Sequence, residues 1–322
     1  MLDGLLVTGQ NIPDIQTKPQ TPEQNMPLGA FFLFSEIVIS MGLAGLVKQI
    51  SGDVSFFVIM FFRYLLSLPL LFLLGWHQRK RDLLQVGQIK TLIARIVMGM
   101  LGLSTWFNAV IYLPISLATV LAQTMTIFIT ILAPLMLAET VGPRRIAAVL
   151  FGFVGVVVLV NPMADSPVLA VAPVGLFFGL AAPFFAALMF IYLRKLGTSE
   201  APISTTLWYN LAGTLVFFIL ALADGLPMPD ISAENQFIWF VLIFTGLASS
   251  AQQFLMAKSH QLASATVLAP VHYSAVPVSV VIGILFFNEV ITLTFIAGTT
   301  VIIGSTWYIF QREQIRKAEQ NS

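Results

Sequence analysis

Two ionisable side chains, Glu36 and Arg63, stand inside long apolar runs, where a charge has no water to meet. On insertion scales a lone charge at the bilayer centre costs about 2.5–3.5 kcal/mol, so such residues pair, line a water-filled path or carry protons and ions. At the rise of an α-helix, Glu36 lies about 12 Å and Arg63 about 18 Å from the same membrane face, a difference an arginine side chain spans. Two chemistries follow. Glu36 takes up a proton or meets a cationic group during a cycle, or it serves only as the counter-ion of Arg63.

Uncharged polar residues recur around this pair at helical spacing. Thr119, Gln123, Thr126 and Thr130 share one face of one run, and Ser104, Asn108 and Tyr112 form a stripe on the run before it. Later runs offer Asn210 and Thr214, Gln252 and Gln253, and the consecutive His272, Tyr273 and Ser274. Interhelical hydrogen bonds in membranes, worth about 0.6 kcal/mol each, account for many such residues. The candidates for a substrate cavity are Asn108, Gln123, Thr126, Asn210, Gln253, His272 and Tyr273. A polar and aromatic lining suits a planar, hydrogen-bonding metabolite better than a simple ion. Pro183, Pro270 and Pro277 also fall inside apolar runs, where each removes a helix hydrogen bond and frees a carbonyl or allows a hinge.

Other chemistry finds little support. The chain has no cysteine, which rules out thiolate metal sites, disulfides and a cysteine nucleophile. His77, His260 and His272 are scattered, and no H-E-x-x-H, Gly-rich phosphate loop or G-x-S-x-G elbow is present. No enzymatic activity, metal or cofactor is expected. A formal net charge of +1 gives no reason to expect a nucleic-acid partner. The expected partners are a small-molecule substrate and the lipid bilayer, with the chain acting as a monomer.

The elements that must position these residues are membrane helices. Only 10% of the 322 residues are charged and 57% are hydrophobic, against roughly 25% charged in a soluble domain. Apolar runs of the length that crosses the hydrocarbon core fall near 28–47, 54–75, 93–113, 117–137, 145–161, 174–193, 203–222, 237–257, 265–286 and 292–310. Fourteen of the sixteen Lys and Arg residues then fall on one side of an alternating ten-span topology. Lys48 is the exception in an external loop, and Arg63 lies within a span. Basic residues stay cytoplasmic, so both termini are expected inside, with Asp53, Asp165, Asp224, Asp230, Glu234 and Glu289 outside. The polar segment 1–27 reads as a disordered cytoplasmic tail without the basic start and small-residue site of a signal peptide. Trp76, Trp239 and Trp307, near run ends, read as interfacial anchors, and Trp106 and Trp208 as more internal.

The chain also repeats itself. SLATVLAQTMTIFITILAPLMLAETV at 116–141 resembles SATVLAPVHYSAVPVSVVIGILFFNEVI at 264–291. Lys48 and Lys195 close the first and sixth runs, and Glu139 and Glu289 close the fourth and ninth. Glu139 reads as a structural helix end ahead of Gly142-Pro143. The offset drifts from 147 to 150, as though the ninth run held one extra turn, which leaves Tyr273 matched to either Gln123 or Thr126. Five helices per unit is an odd number, so the halves must lie inverted in the membrane, the arrangement of many secondary transporters. The expected organisation is a first repeat at 28–161, an external linker at 162–173, a second repeat at 174–310 and a cytoplasmic tail at 311–322.

Ten spans in two units, with FFRYLLSLPLLF in the second helix and ETVGPRRIAAVLFGFVGVVVLV after the fourth, resemble the EamA family of the drug/metabolite transporter superfamily. NAVIYLPISLATVL, LAPLMLAETVGPRR and YIFQRE look most like the subgroup that contains riboflavin and S-adenosylmethionine carriers. The resemblance implies an all-α membrane fold of two inverted five-helix repeats around a central cavity, working by alternating access without ATP or a bound cofactor. It implies a secondary transporter of a small organic metabolite in the cytoplasmic (inner) membrane, with a vitamin such as riboflavin as the leading substrate class. An amino-acid or drug exporter is the alternative, and a polytopic membrane enzyme the rival from another class. Pro183 stands where the repeat would place a second Glu36, so any coupling acid belongs to the first half alone.

Overall fold

The computed structural model describes residues 25–137, 143–160, 173–196, 200–263, 268 and 271–321. Among them the structure is helical: α1 Met26–Ile50, α2 Phe56–Leu65, α3 Leu68–Arg79, α4 Ile89–Tyr112, α5 Ile115–Ala122 and α6 Met125–Leu137 make up the first four spans. They are followed by α7 Pro143–Val160, α8 Pro173–Leu196, α9 Pro202–Ala223, α10 Gln236–Leu262, α11 Ala275–Phe287 and α12 Leu293–Asn321. Eight stretches are long and apolar enough to cross a membrane, and two shorter apolar helices, Ile146–Leu159 and Ala275–Phe287, complete ten. Proline opens α7, α8 and α9, the one helix position where its missing N–H is of no consequence.

Three spans are interrupted. The second breaks at Leu66-Ser67, between α2 and α3. The fourth breaks at Gln123-Thr124, where the Thr124 hydroxyl donates to the Leu121 carbonyl (2.6 Å). The ninth breaks at Tyr273-Ser274, where the Ser274 hydroxyl donates to the Val271 carbonyl (2.6 Å). The last two breaks share one hydrogen-bond pattern and stand 150 residues apart, which pairs Tyr273 with Gln123 rather than Thr126. The ends of α4 and α10 also stand 150 apart, since Leu113 and Ala263 are both extended caps. The seventh span keeps the offset of 147: Thr214 donates to the Asn210 carbonyl as Ser67 donates to the Arg63 carbonyl. The extra turn therefore enters before Ala263, not within the ninth span. Pro183 lies inside an unbroken α8, whereas Pro277 is exposed in the first turn of α11 and costs no hydrogen bond there. Pro270 lies outside the described residues.

Packing follows the repeat. Helix α4 lies along α8 as α1 lies along α10, and α6 touches α8 as α1 touches α11. Each contact is the other's image when the halves are exchanged, while α2 with α9 and α7 with α12 pair corresponding spans directly. Trp106, on α4, packs against three of the buried apolar clusters and so sits where the two halves converge. The outer faces carry exposed apolar residues such as Leu73, Leu135, Phe177 and Phe286. In water that surface would be untenable, and in lipid it is the expected coat.

Candidate functional site

Glu36 and Arg63 are both buried, on α1 and α2, and no ion pair joins them directly. Gln252 of α10 stands between them. Its amide nitrogen donates to a Glu36 carboxylate oxygen (2.9 Å) and to the Ser40 hydroxyl (2.9 Å), and its oxygen accepts from an Arg63 guanidinium nitrogen (3.3 Å). The amide thus presents a donor to the acid and an acceptor to the base, as its two-sided chemistry allows. The network joins two helices of the first half to one of the second. Glu36 and Gln252 each lie about 15 Å along their helices from the same end of the bundle, near the middle of the span.

The Arg63 guanidinium packs over the Phe107 ring, its central carbon 5.1 Å from the centroid. Its Nη1 is buried without a hydrogen-bond partner. A buried guanidinium nitrogen left without an acceptor is costly, and its position is enforced from below. Ser67, at the break in the second span, donates to the Arg63 carbonyl (2.6 Å) and reaches the Gly246 carbonyl of α10 (3.2 Å), while Ser250 of α10 donates back to the Ser67 carbonyl (3.1 Å). Ser250 is two residues from Gln252, so this knot fixes the distance between the Arg63 turn and the amide that meets it.

The exchanged half holds no copy of this network. At the offset of 150 shared by the ends of α4 and α10, Gly102 of α4 matches Gln252, and at 147 Pro183 and Asn210 match Glu36 and Arg63. A Cβ at Gly102 would lie 3.2 Å from the Ala186 backbone nitrogen of α8. The missing side chain lets α4 and α8 close up where α1 and α10 are spaced by polar groups. At this level one of two related seams is closed on a glycine, and the other holds the charges.

The remaining predicted residues divide. Asn210 and Gln253 meet each other (3.2 Å), with Asn210 also donating to its own helix at Thr206 and Gln253 to Ser249. Asn108 is half-buried and donates to Ser104 of its own helix (2.8 Å). Gln123 and Tyr273 sit at the two matched breaks, both half-buried, and Thr126 gives its carbonyl to Thr130 (2.9 Å). Tyr273 also stands edge-on to Trp307 at 6.3 Å. His272 lies 6.2 Å from His260 ring to ring, well away from the Gln252 network in the chain's register. Glu139 lies outside the described residues. Trp208 is not internal: it is exposed, and its indole donates to the Leu84 carbonyl (3.0 Å).

Sequence alone ranks Gln253 above Gln252 and leaves out Ser40 and Phe107. Adjacent residues on a helix point about 100° apart, so two neighbouring glutamines cannot both face one site, and only the packing of α10 selects between them. Glu200 carries no signal in the sequence either. It is buried and accepts from the Gly87 and Gln88 backbone nitrogens (2.8 Å each), anchoring the start of α4.

Residues 28–161 and 173–311 each match the EamA-like transporter family. A riboflavin transporter from Vibrio cholerae is 31% identical over 76% of this chain and 78% of its own length. An S-adenosylmethionine uptake transporter from Rickettsia bellii is 28% identical over 88% of this chain and 93% of its own. A solved crystal structure 14% identical superposes with a TM-score of 0.59, covering 86% of this chain and 94% of that one, which shows a shared fold.

Proposed function

This chain belongs to the EamA-like transporter family, and from that premise we propose that it carries a planar, hydrogen-bonding metabolite of the riboflavin type across the cytoplasmic membrane. It is a multi-pass membrane transporter with a small-molecule substrate, not an enzyme. The observation that supports the finer reading is the network of buried Glu36 and Arg63 with half-buried Gln252 and Ser40 beside Phe107, made from both halves of the chain. An aromatic face next to fixed donors and acceptors suits a flat heterocycle carrying carbonyl and N–H groups along one edge. The named relative that transports riboflavin supports the same reading. A second reading has its own support. Glu36 is a buried acid, and a relative takes up S-adenosylmethionine, which bears a sulfonium cation.

The test is uptake of radiolabelled riboflavin by cells that can neither make nor import it, with this chain supplied on a plasmid. Growth on low external riboflavin and saturable uptake are expected. Uptake no higher than in vector controls, together with uptake of labelled S-adenosylmethionine, would replace the first reading with the second.

Orientation is part of the proposal. Both termini are placed in the cytoplasm on the distribution of Lys and Arg. Reporter fusions after Lys195 are expected to read cytoplasm and fusions after Asp230 to read outside. An external signal at Lys195 would invert or break the ten-span scheme.

A further inference from the structure

Lys48 and Glu289 belong to no part of the network described so far, yet each is tied into the bundle at the same end. The Lys48 ammonium donates to the carbonyl of Val110 (2.8 Å) and to that of Leu113, the last acceptors of α4. The Glu289 carboxylate accepts from the Ile115 backbone nitrogen (2.5 Å), the Ser116 backbone nitrogen (3.2 Å) and the Ser116 hydroxyl (2.5 Å), the first donors of α5. A cation thus satisfies a helix C-terminus and an anion a helix N-terminus, each with the sign that the exposed backbone groups prefer. Phe287, beside Glu289, has its ring 5.5 Å from the Lys48 ammonium. Lys48, α4 and α5 are first-half elements, and Phe287 and Glu289 are second-half ones, so the contact closes the two halves on each other.

The repeat supplies a second lysine and a second helix end on the opposite side, and among the described residues these two are not joined. Lys195 repeats Lys48, while His260 and Ala263 repeat Val110 and Leu113 as the last turn and cap of α10. Lys195 is exposed, however, and its ammonium lies over Tyr192 of its own helix at 5.6 Å. Among the described residues it makes no hydrogen bond to the carbonyls of His260 or Ala263. The two lysines are related in sequence but differ in their contacts.

We propose that the contact of Glu289 with the start of α5, together with Lys48 over Phe287, is a latch that holds one end of the carrier shut, and that transport requires it to open. This rests on the reading of the chain as an alternating-access carrier. Exchange of conformation between inverted halves makes one end adopt the state of the other. The Lys195 end is then the image of what the Lys48 end becomes. Three hydrogen bonds to the ionised Glu289 carboxylate cross between the halves at the α5 N-terminus, with the Lys48 ammonium over Phe287 beside them, while the two Lys48 bonds to α4 hold that ammonium in place. The crossing bonds keep the end closed, and their location at the rim, rather than in the apolar core, lets water replace them when it opens.

The native chain has no cysteine, so a single Ser116→Cys, which gives up the hydroxyl bond but keeps both backbone bonds to Glu289, reports on the latch without competing thiols. Ser116 is 2% exposed in the closed end. A membrane-impermeant maleimide, applied to intact cells and to inside-out vesicles, is expected to label the introduced thiol slowly and from one side only. Glu289→Gln places an amide N–H₂ against one of the two backbone donors, since its single oxygen replaces only one carboxylate oxygen, and Lys48→Met removes the ammonium over Phe287 with both carbonyl contacts. Each is expected to raise the labelling rate several-fold while the protein accumulates normally. Should Glu289→Gln fail to accumulate, Lys48→Met decides alone, since it leaves the Glu289 bonds intact. The proposal is overturned if the introduced thiol reacts only after unfolding in detergent, or if neither substitution changes its rate. The assay contains no transported substrate. A negative riboflavin result therefore leaves this one standing, and unchanged labelling leaves the uptake test untouched.

Discussion

Replacing Arg63 with methionine is expected to reduce transport at least tenfold, and to keep the protein's stability only where Glu36 is neutralised in the same chain. The stability half of this expectation follows from burial. Arg63 is buried in the membrane with Nη1 unpaired, and it contacts Glu36 only through Gln252. Charges at this depth cost about 2.5–3.5 kcal/mol on insertion scales, and removal of one member of a buried ionic group leaves the other uncompensated at about 3–5 kcal/mol, whereas replacement of the whole group is often neutral or stabilising. Methionine fills the space over Phe107 and leaves Gln252 bonded to Glu36 and Ser40. The transport half follows if the unpaired nitrogen meets an acceptor on the substrate, since a tenfold loss is about 1.4 kcal/mol, within the range of one charge-assisted hydrogen bond. Arg63→Lys is expected to recover little, because an ammonium cannot both bond Gln252 and lie flat over Phe107. The check is initial uptake normalised to membrane abundance, beside a thermal melt of the purified protein. Normal uptake with a raised melting temperature would make Arg63 a tolerated burden rather than a functional group.

Replacing Glu36 with glutamine is expected to preserve substrate exchange and abolish the response to a pH gradient. The geometry makes this substitution clean. The Gln252 amide donates to one Glu36 oxygen (2.9 Å), and a glutamine oxygen can take the same bond. The charge is lost and the contact is not. A structural role for Glu36 as the partner of Arg63 predicts loss of folded protein in Glu36→Gln and its recovery in the double substitution with Arg63→Gln. The coupling role predicts instead that Glu36→Gln keeps exchange and loses only the pH response, with Gln252 still bonded on that side. In proteoliposomes, counterflow at equal pH measures exchange, and uptake driven by an imposed pH gradient measures coupling. A variant that keeps its full pH response would remove Glu36 from the coupling step.

Ten spans, their inverted pairing and the transporter class were legible in the residues themselves. Transfer from water to lipid is paid residue by residue along the chain, so apolar runs and the sidedness of Lys and Arg survive without knowledge of the fold. The depths of Glu36 and Arg63 were readable for the same reason, since depth is only a count of residues along a helix. The azimuth of each residue was not. A soluble helix betrays its inner face by its apolar stripe, but α10 is apolar toward lipid and toward protein alike, and nothing local distinguishes Gln252 from Gln253. Packing decided it: α10 lies along α1 and turns Gln252 to Glu36 and Ser40, leaving Gln253 to Asn210. Packing also decided which related seam would carry the charges. Gly102 closes α4 onto Ala186 while Gln252 holds α10 off Glu36, a difference that arises only when helices distant in sequence are brought side by side.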